Sequence, residues 1–541
     1  MVPAVEKGMR HRLLLRLADA EVWYWVAILL ATCLFVQSLF AAGPAWDEPE
    51  EFAKLQAQLA FAAQFLSGNS GLSFHSLQGD YAYYGLGSVF IPYALSYIVD
   101  IVWLKQPVHT YAHSYSVFLH ILTFSCAVVT VVYVRQIVVL ITGNRDVGIF
   151  AGLMLLLTPF WIGYGFIDYK DIPVATGVIA ATYYAVAYYK DGLSRTSFLF
   201  FLAVFFIGIQ KLAAIPLALP ACVAIVVAAL RQPSARRLPI LISQAAICLF
   251  LLYLATPPAW PQPIQFTAAS ILYSSQHSWG GCTLTAGRCI GREAANGAGY
   301  SVFRYLGLWY GVKLPILLWI GLLGAIAVYL RKFRQLQMDQ HLLVAALCWP
   351  IVAMGIRNST LYDGIRHVLF LVPLAVAAVF VVIPATTWLR LRWVLAIYYL
   401  FFAVDLLRLQ PYQYVWFNEA ARFFATDTNF ETDYWGYSLR EATMMALGQR
   451  GTSDWIVSTP GGANPTHLVG IYATERFTQN VGSVSPGATY YEVSVTRMNR
   501  QPPVRCGSVE YVTRKELFAP APLRLSFVAK CERGAPQPGR D

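Results

Sequence analysis

Long stretches of the chain run without a charged side chain. Clear cases are 23–40, 126–134, 151–159, 198–209, 314–330 and 368–383. With their flanks, several reach the ~20 predominantly apolar residues that a bilayer-spanning helix needs. The pattern predicts about eleven spanning helices, over 22–42, 113–134, 147–166, 172–189, 196–210, 213–230, 238–256, 311–330, 341–356, 366–386 and 393–410. The first run is longer than the apolar core of a cleaved signal segment, so it reads as a retained helix.

The polar positions between these runs give the orientation. Lys7, Arg10, Arg12 and Arg16 precede the first span. Arg135 and Arg145, then Lys190 and Arg195, then Arg231, Arg236 and Arg237 occupy alternate connections. Arg331, Lys332 and Arg334, and finally Arg390 and Arg392, continue the series. Cytoplasmic connections concentrate Lys and Arg, so the N-terminus is expected inside and the C-terminal segment outside. The apolar stretch 86–104 would invert every later connection if it crossed. It is therefore expected to lie at the outer interface, consistent with Gly85, Gly87 and Pro92 near its start.

This topology puts two long loops, 43–112 and 257–310, on the outer face. Short connections around Asp168, Lys211 and 357–365 join them there. The chain divides into a membrane module, 1–411, and an outer domain, 412–541. The second is more polar and punctuated by Gly and Pro. Its segments 490–496 (YYEVSVT) and 523–530 alternate like strands, and 439–447 reads as a helix, which predicts a small α/β domain.

Composition agrees. Of 541 residues, 57% are apolar and 13% charged, against roughly 25% charged in soluble domains. The net charge of +11 would suggest nucleic acid on a soluble protein; here it reflects topology, and no nucleic-acid partner is expected. Five of the nine cysteines sit in apolar runs. Cys282 with Cys289, and Cys506 with Cys531, can form disulfides if those regions face an oxidising compartment; free thiols are the alternative. No metal-ligand spacing is visible, and neither a metal nor a cofactor is expected.

The candidate chemistry lies in the outer connections. Trp46-Asp47-Glu48-Pro49 follows the first span. A carboxylate there can serve as general base toward an acceptor hydroxyl; equally, Asp47 can cap an amphipathic helix over 48–66 with Glu48, Glu50 and Glu51 in its first turn. Asp168-Tyr169-Lys170-Asp171-Ile172-Pro173 brings a second acidic cluster to the same face. There Asp171 can be a simple cap, and Lys170 a partner in a local ion pair. Lys211, Arg366 and His367 after Tyr362 stand at the expected depth of a lipid phosphate, with interfacial snorkelling as the alternative. In the long loop, Trp260 and His277 offer a stacking ring and a titratable group, or plain interface and surface residues.

Taken together, Trp46-Asp47-Glu48-Pro49, Lys170-Asp171-Ile172-Pro173, Tyr362-Asp363-Gly364-Ile365-Arg366-His367 and Asp433-Tyr434-Trp435-Gly436 resemble the polyprenyl-phosphate-sugar transferases of the GT-C fold. That superfamily includes the protein O-mannosyltransferases and the lipid A aminoarabinose transferases. The resemblance covers most of residues 20–440. It implies an inverting transfer from a polyprenyl-phosphate donor to a periplasmic glycolipid, polysaccharide or protein, at a bacterial inner membrane. It places the base at Asp47, with Glu48 supporting it. Asp168 takes the second acidic position, unless Asp171 does, and Lys211 and Arg366 hold the phosphate. Beyond Trp435 the family implies nothing. A transporter or lipid flippase is the rival, but it would place ionisable groups near the bilayer midplane with repeat symmetry, and no repeat is visible. A non-catalytic scaffold on the same fold would be expected to lose the outward acids.

Overall fold

The computed structural model describes residues 20–69, 71–103, 113–231, 237–276, 281–291, 300–460, 464–504 and 506–533. Helices dominate up to residue 408. They begin with α1 (Ala20–Ala41), α2 (Glu48–Leu66), α3 (Gly87–Tyr97) and the thirty-residue α4 (His113–Thr142). There follow α5 (Arg145–Leu157), α6 (Pro159–Ile167), α7 (Asp171–Asp191), α8 (Ser194–Gln210), α9 (Leu219–Arg231) and α10 (Arg237–Leu254). After α11 (Pro263–Gln276) and the hairpin β1 (Thr283–Thr285) and β2 (Arg288–Ile290) come α12 (Val302–Lys313), α13 (Ile316–Lys332), α14 (Met338–Arg357), α15 (Leu371–Val381) and α16 (Ala385–Arg408). The protein is thus a polytopic α-helical membrane protein with an added α/β domain.

Each of the eleven expected spans falls on a helix. Among the described residues, seven helices are long and apolar enough to cross a membrane unaided, and α5 with α6, bent by 63° at their junction, brings the number to eight if the pair is counted as one span. The bend falls where Pro159 removes a backbone donor. Three of the eleven expected spans do not meet that measure: those at 196–210 and 366–386 fall on α8 and α15, apolar helices too short to cross unaided, and the one at 393–410 falls on α16, which is not among the seven. The span expected from 311 starts later, because Leu314-Pro315 separates α12 from α13. The stretch at 86–104 forms α3 and a π-helical turn, Ile98–Trp103. Its apolar side chains Phe90, Ile91, Leu95 and Ile98 are exposed.

The C-terminal domain holds α17 (Leu439–Gln449), β3 (Trp455–Val457), α18 (Thr466–Tyr472), β4 (Phe477–Thr478), β5 (Thr489–Val495), β6 (Cys506–Arg514) and β7 (Leu523–Glu532). The sheet order is β4-β3-β5-β7-β6, with β3 parallel to β4 and β5, and β7 antiparallel to β5 and β6. Alternation along β5 does not mean a wet face. Glu492 and Ser494 are as buried as the residues between them, because both faces of this central strand are covered. Both cysteine pairs are disulfides: Cys282–Cys289 closes the β1–β2 hairpin, and Cys506–Cys531 joins register partners on β6 and β7.

Candidate active site

The connections at one end of the helical body converge under the C-terminal domain. Helix α2 organises the meeting point. Its apolar side chains Phe52, Leu55 and Phe61 are buried, and so are Glu48, Glu51, Lys54 and Gln58. Four buried polar groups on one short helix need partners, and each has them. Glu48 accepts from Ala45 N (2.6 Å), Ser116 Oγ (2.6 Å) and His120 Nε2 (2.7 Å). Gln58 Nε2 donates to the carbonyls of Tyr81 (2.6 Å) and Tyr84 (2.9 Å), fixing the loop that presents Tyr84. Gly85 makes that loop's close approach possible, since a Cβ there would stand 2.1 Å from the Ile209 carbonyl.

Asp47 occupies the residue before α2 but makes no side-chain capping bond. Its Oδ2 instead meets Lys170 Nζ at 3.0 Å and an Arg366 nitrogen at 3.8 Å. Lys170 also reaches Glu51 (3.0 Å), and Glu51 meets Lys54 (3.0 Å), which meets Asp80 (3.3 Å). On the other side Arg366 pairs with Asp363 (3.3 Å), and Asp363 with Arg497 (2.5 Å). The result is one ladder of alternating charge from Asp80 to Arg497. Burial alone would push the Asp47 carboxyl up, but Lys170 and Arg366 outweigh it and hold it at about 2. Asp363 has φ 53° and Gly364 φ 74°; this left-handed turn is strained for aspartate and natural for glycine, and it aims Asp363 between the two arginines.

The second acidic cluster divides its work. Asp168 is fully buried behind the site, where its Oδ1 accepts from Asp171 N (3.1 Å) at the start of α7. Asp168 thus does the capping, for which the sequence alone offered Asp171 as one alternative. Its carboxyl is pushed well up by burial and by the neighbouring Asp171 charge. Asp171 is only half-buried and lines the cavity. Lys170 pairs across the site with α2, not locally with its acidic neighbours in sequence.

Two cavities meet at this ladder. One, of about 170 Å³, is lined by Asp47, Tyr84, Lys170, Asp171, Lys211, Tyr362, Arg366 and His367 among others. Lys211 is exposed and makes no ion pair among the described residues. The other, of about 300 Å³, shares Asp47, Tyr84, Lys170, Tyr362 and Arg366 as a common wall and extends to Trp46, Asp363, Trp435 and Arg497. A third cavity, an apolar groove of about 540 Å³, runs beside the first between Leu59, Phe90, Ile91, Phe205, Leu251 and Leu254. Leu86, Gly87 and Ile209 line the groove, while their neighbours Gly85, Ser88 and Gln210 line the first cavity.

The remaining expected site residues separate. Trp260 lines the apolar groove, with its Nε1 donating to the Tyr253 carbonyl (2.9 Å), and does not line the charged cavities. Glu48 lies behind the wall, where it can fix the turn that carries Asp47. His277 lies outside the described residues. Sequence reasoning missed Glu51, Lys54, Tyr84 and Arg497. For the first two a signal existed: charged residues repeat on α2 at i, i+3, beyond what a cap needs. Arg497 had none. It reaches the site only because the sheet domain folds over it, its NH1 donating to the Tyr434 carbonyl (3.1 Å). The Asp433-Tyr434-Trp435-Gly436 motif is a turn: Asp433 accepts from Tyr437 N (3.0 Å) and Ser438 N (2.8 Å), and the Trp435 carbonyl takes Trp46 N (2.9 Å). Among the described residues no cluster of three or more His, Cys, Asp or Glu is arranged to hold a metal.

No family model and no curated protein matches the chain. Solved structures similar to it in backbone course include the following two. ArnT from Cupriavidus metallidurans, bound to undecaprenyl phosphate, superposes with a TM-score of 0.44 at 12% identity, over 94% of this chain and 98% of that one. The archaeal oligosaccharyltransferase AglB from Archaeoglobus fulgidus, in complex with an inhibitory peptide and a dolichol-phosphate, gives a TM-score of 0.40 at 10% identity, over 86% of this chain and 65% of that one. Superpositions this loose do not carry residue roles across, so the roles below come from this chain's own geometry.

Proposed function

We propose that this protein is an inverting glycosyltransferase of the GT-C type, taking a sugar from a polyprenyl-phosphate donor at the periplasmic face of a bacterial inner membrane. The acceptor is a periplasmic glycolipid, glycan or protein. The observation that carries the reading is the junction of the first cavity with the groove. A cation without an ion pair, Lys211, stands with Lys170 and Arg366 around a pocket that abuts an apolar trough. A lipid phosphate needs both features: positive charge for its head and dry apolar surface for its chain.

The two charged cavities give the displacement its direction. Inversion requires the acceptor oxygen and the leaving phosphate on opposite sides of the anomeric carbon. The phosphate lies in the first cavity beside Lys211, Lys170 and Arg366, and the acceptor in the second. The acceptor oxygen bonds to the anomeric carbon as the carbon–oxygen bond to phosphate breaks. Asp47, on the common wall, takes the hydroxyl proton, and polyprenyl phosphate leaves with its charge neutralised by the cations. In the resting site Asp47 is tied to Lys170 and Arg366. A bound phosphate competes for both cations and frees the carboxylate to accept a proton. Asp171 lines the first cavity together with Lys211, and Asp168 holds the start of α7. Gathering the charges at one end of the helical body, under the added domain, favours an enzyme over a transporter or flippase.

The reading is tested by binding. In nanodiscs, native mass spectrometry compares undecaprenyl phosphate with undecaprenol for wild type and Lys211→Met. The phosphate is expected to bind at least ~10-fold tighter than the alcohol, and the variant to lose about that factor, the scale of one charge-assisted contact. Equal binding of the two lipids would contradict the reading.

A further inference from the structure

The exposed apolar side chains of α16 form a continuous stripe. Leu389, Trp393, Ile397, Leu400, Val404 and Leu407 recur at three- and four-residue steps, and each is exposed. The stripe runs about 27 Å at 1.5 Å per residue, close to the thickness of a bilayer's hydrocarbon core. An apolar surface of that length marks contact with lipid. Phe401 belongs to the same side of the helix, four residues after Ile397 and three before Val404, and it too is exposed.

The C-terminal domain reaches this stripe. The ring of Phe518 stands 6.2 Å from that of Phe401. Phe401 comes four residues before Asp405, so the contact lies about 6 Å further into the stripe than the pairs that hold the domain to the body. Those pairs fix two loops at one point. Asp405 accepts from Arg422 Nη2 (2.8 Å) and from Leu517 N (2.6 Å), and Arg422 Nη1 donates to the Leu517 carbonyl. Phe423 and Phe424 follow Arg422, and Phe518 follows Leu517. Phe518 is 70% exposed, Phe423 62% and Phe424 57%. Phe518 also carries a φ of 63°, a left-handed conformation that is rare for a bulky side chain and collects where a fold needs it. The loops around the rings offer cations to a headgroup layer. Arg408 is exposed and Lys515 half-buried, the Arg408 Nε donating to the Lys515 carbonyl (2.9 Å). The acids there are committed. Asp405 and Glu516 are buried, and Glu419 accepts from the Tyr398 hydroxyl (2.6 Å) and Ile316 N (3.1 Å).

We propose that the C-terminal domain inserts Phe518, Phe423 and Phe424 into the bilayer leaflet that faces it, so that the domain is seated on lipid as well as on the helical body. The rings take the acyl side of the interface, and Arg408 and Lys515 take the phosphate layer, where basic side chains are favoured. The lipid surface continues the one that α16 already presents. This goes beyond the transferase reading and does not depend on it.

The test uses the full chain in nanodiscs whose phospholipids carry a diazirine on one acyl chain. After illumination, peptide mass spectrometry locates the lipid adducts. They are expected on α16 between Leu389 and Leu407, and also at Phe423, Phe424 and Phe518. Val504 is fully exposed and should carry none. It precedes β6, which ends at Arg514, and Arg514 Nε donates to the Gln410 carbonyl on the body (2.8 Å); Cys506 is about 26 Å from Arg514 along that strand. In a second arm, Phe518→Asp puts a charge where the ring would enter lipid. Aspartate tolerates a positive φ, so the turn is kept. Hydrogen exchange at 421–424 and 515–519 in nanodiscs should rise ~10-fold or more, the scale of one phenylalanine withdrawn from an apolar phase. Adducts on α16 with none at Phe423, Phe424 or Phe518 would overturn the proposal. So would exchange unchanged in Phe518→Asp, or cross-links from these rings to a second copy of the chain in place of lipid.

Discussion

Asp47 and Glu48 are neighbours in sequence and opposites in setting. Asp47 stands on the wall shared by two cavities, tied to Lys170 and Arg366. Glu48 is fully buried with three partners. Replacing Glu48 by Gln leaves its buried donors poorly matched, at a cost of ~1–3 kcal/mol. The expected outcome is a lower melting temperature, with the polyprenyl-phosphate affinity retained. Glu431 gives a pH signature. It is 2% exposed, and burial outweighs the nearby Arg497 to raise its carboxyl to about 7. The folded state therefore holds this proton more tightly than the unfolded state does. Its stabilising effect is complete below the ordinary carboxylate range and is lost as pH rises through about 7. The loss is on the order of 3 kcal/mol. Glu431→Gln should flatten the decline in melting temperature between roughly pH 5 and 7.5; an equally steep decline in the variant would exclude Glu431 as its source. Among single residues, the sequence displayed the acids after the first and third spans, because carboxylates beside apolar runs are conspicuous. It could not display which acid faces the cavity. The difference between Asp168 and Asp171 is three residues around one helix start, and only the fold turns one in and the other away.

Helix α2 is the element that makes the site. The sequence showed an amphipathic helix over 48–66, and its charged first turn read equally well as capping. What decides between site and cap is the pairing of Glu51 with Lys170 on α7's approach and of Lys54 with Asp80, contacts separated by tens to more than a hundred residues and invisible to local pattern. The β1–β2 hairpin plays a smaller part. Thr283 Oγ1 takes the Asp363 amide (2.8 Å), and Glu431 N donates to the Leu284 carbonyl (2.9 Å). The hairpin thereby props the strained turn that aims Asp363. Its disulfide closes a short loop, which constrains the unfolded chain by ~2–3 kcal/mol in the loop-entropy account. Cys282→Ser with Cys289→Ser should increase hydrogen exchange across 281–291 and at Asp363, and lower the melting temperature. Unchanged exchange at Asp363 would show that the hairpin does not support the turn. The spans were legible because the bilayer demands long uncharged runs. Their breaks at Pro159 and Pro315 were not, since the apolar pattern continues through both.

At the scale of the whole molecule, the helical body supplies cations and carboxylates and the C-terminal domain closes them over. Arg497, two residues past the end of β5, reaches Asp363 on the body. Met498 and Asn499 beside it have φ 56° and 58°, backbone strain that non-glycine residues carry where the fold demands it. The domain also locks to the body away from the site, where Arg422 meets Asp405 (2.8 Å) and Leu517 N donates to Asp405 (2.6 Å). Arg497→Met should leave Asp363 buried with one arginine fewer. The expected result is a lower melting temperature with little change in undecaprenyl-phosphate binding, because Arg497 pairs with buried Asp363 and lines the second cavity but not the first. The presence of an α/β domain was legible in the sequence. The domain's share in the site was not, because strands β3 and β5 are buried on both faces and Arg497 lies in an irregular turn.

The central claim is that Asp47 removes the acceptor proton as the sugar leaves its lipid phosphate. The most direct measurement is release of free polyprenyl phosphate by purified wild type and Asp47→Asn, offered a panel of polyprenyl-phosphate sugars with membrane extract as acceptor. Release by wild type and a fall of ~10²-fold or more in Asp47→Asn is the predicted result, the scale of a lost general base. Equal release by both proteins would contradict the assignment and move the base to Asp171 or Asp168. No release from any donor by folded wild type would contradict the transferase reading itself.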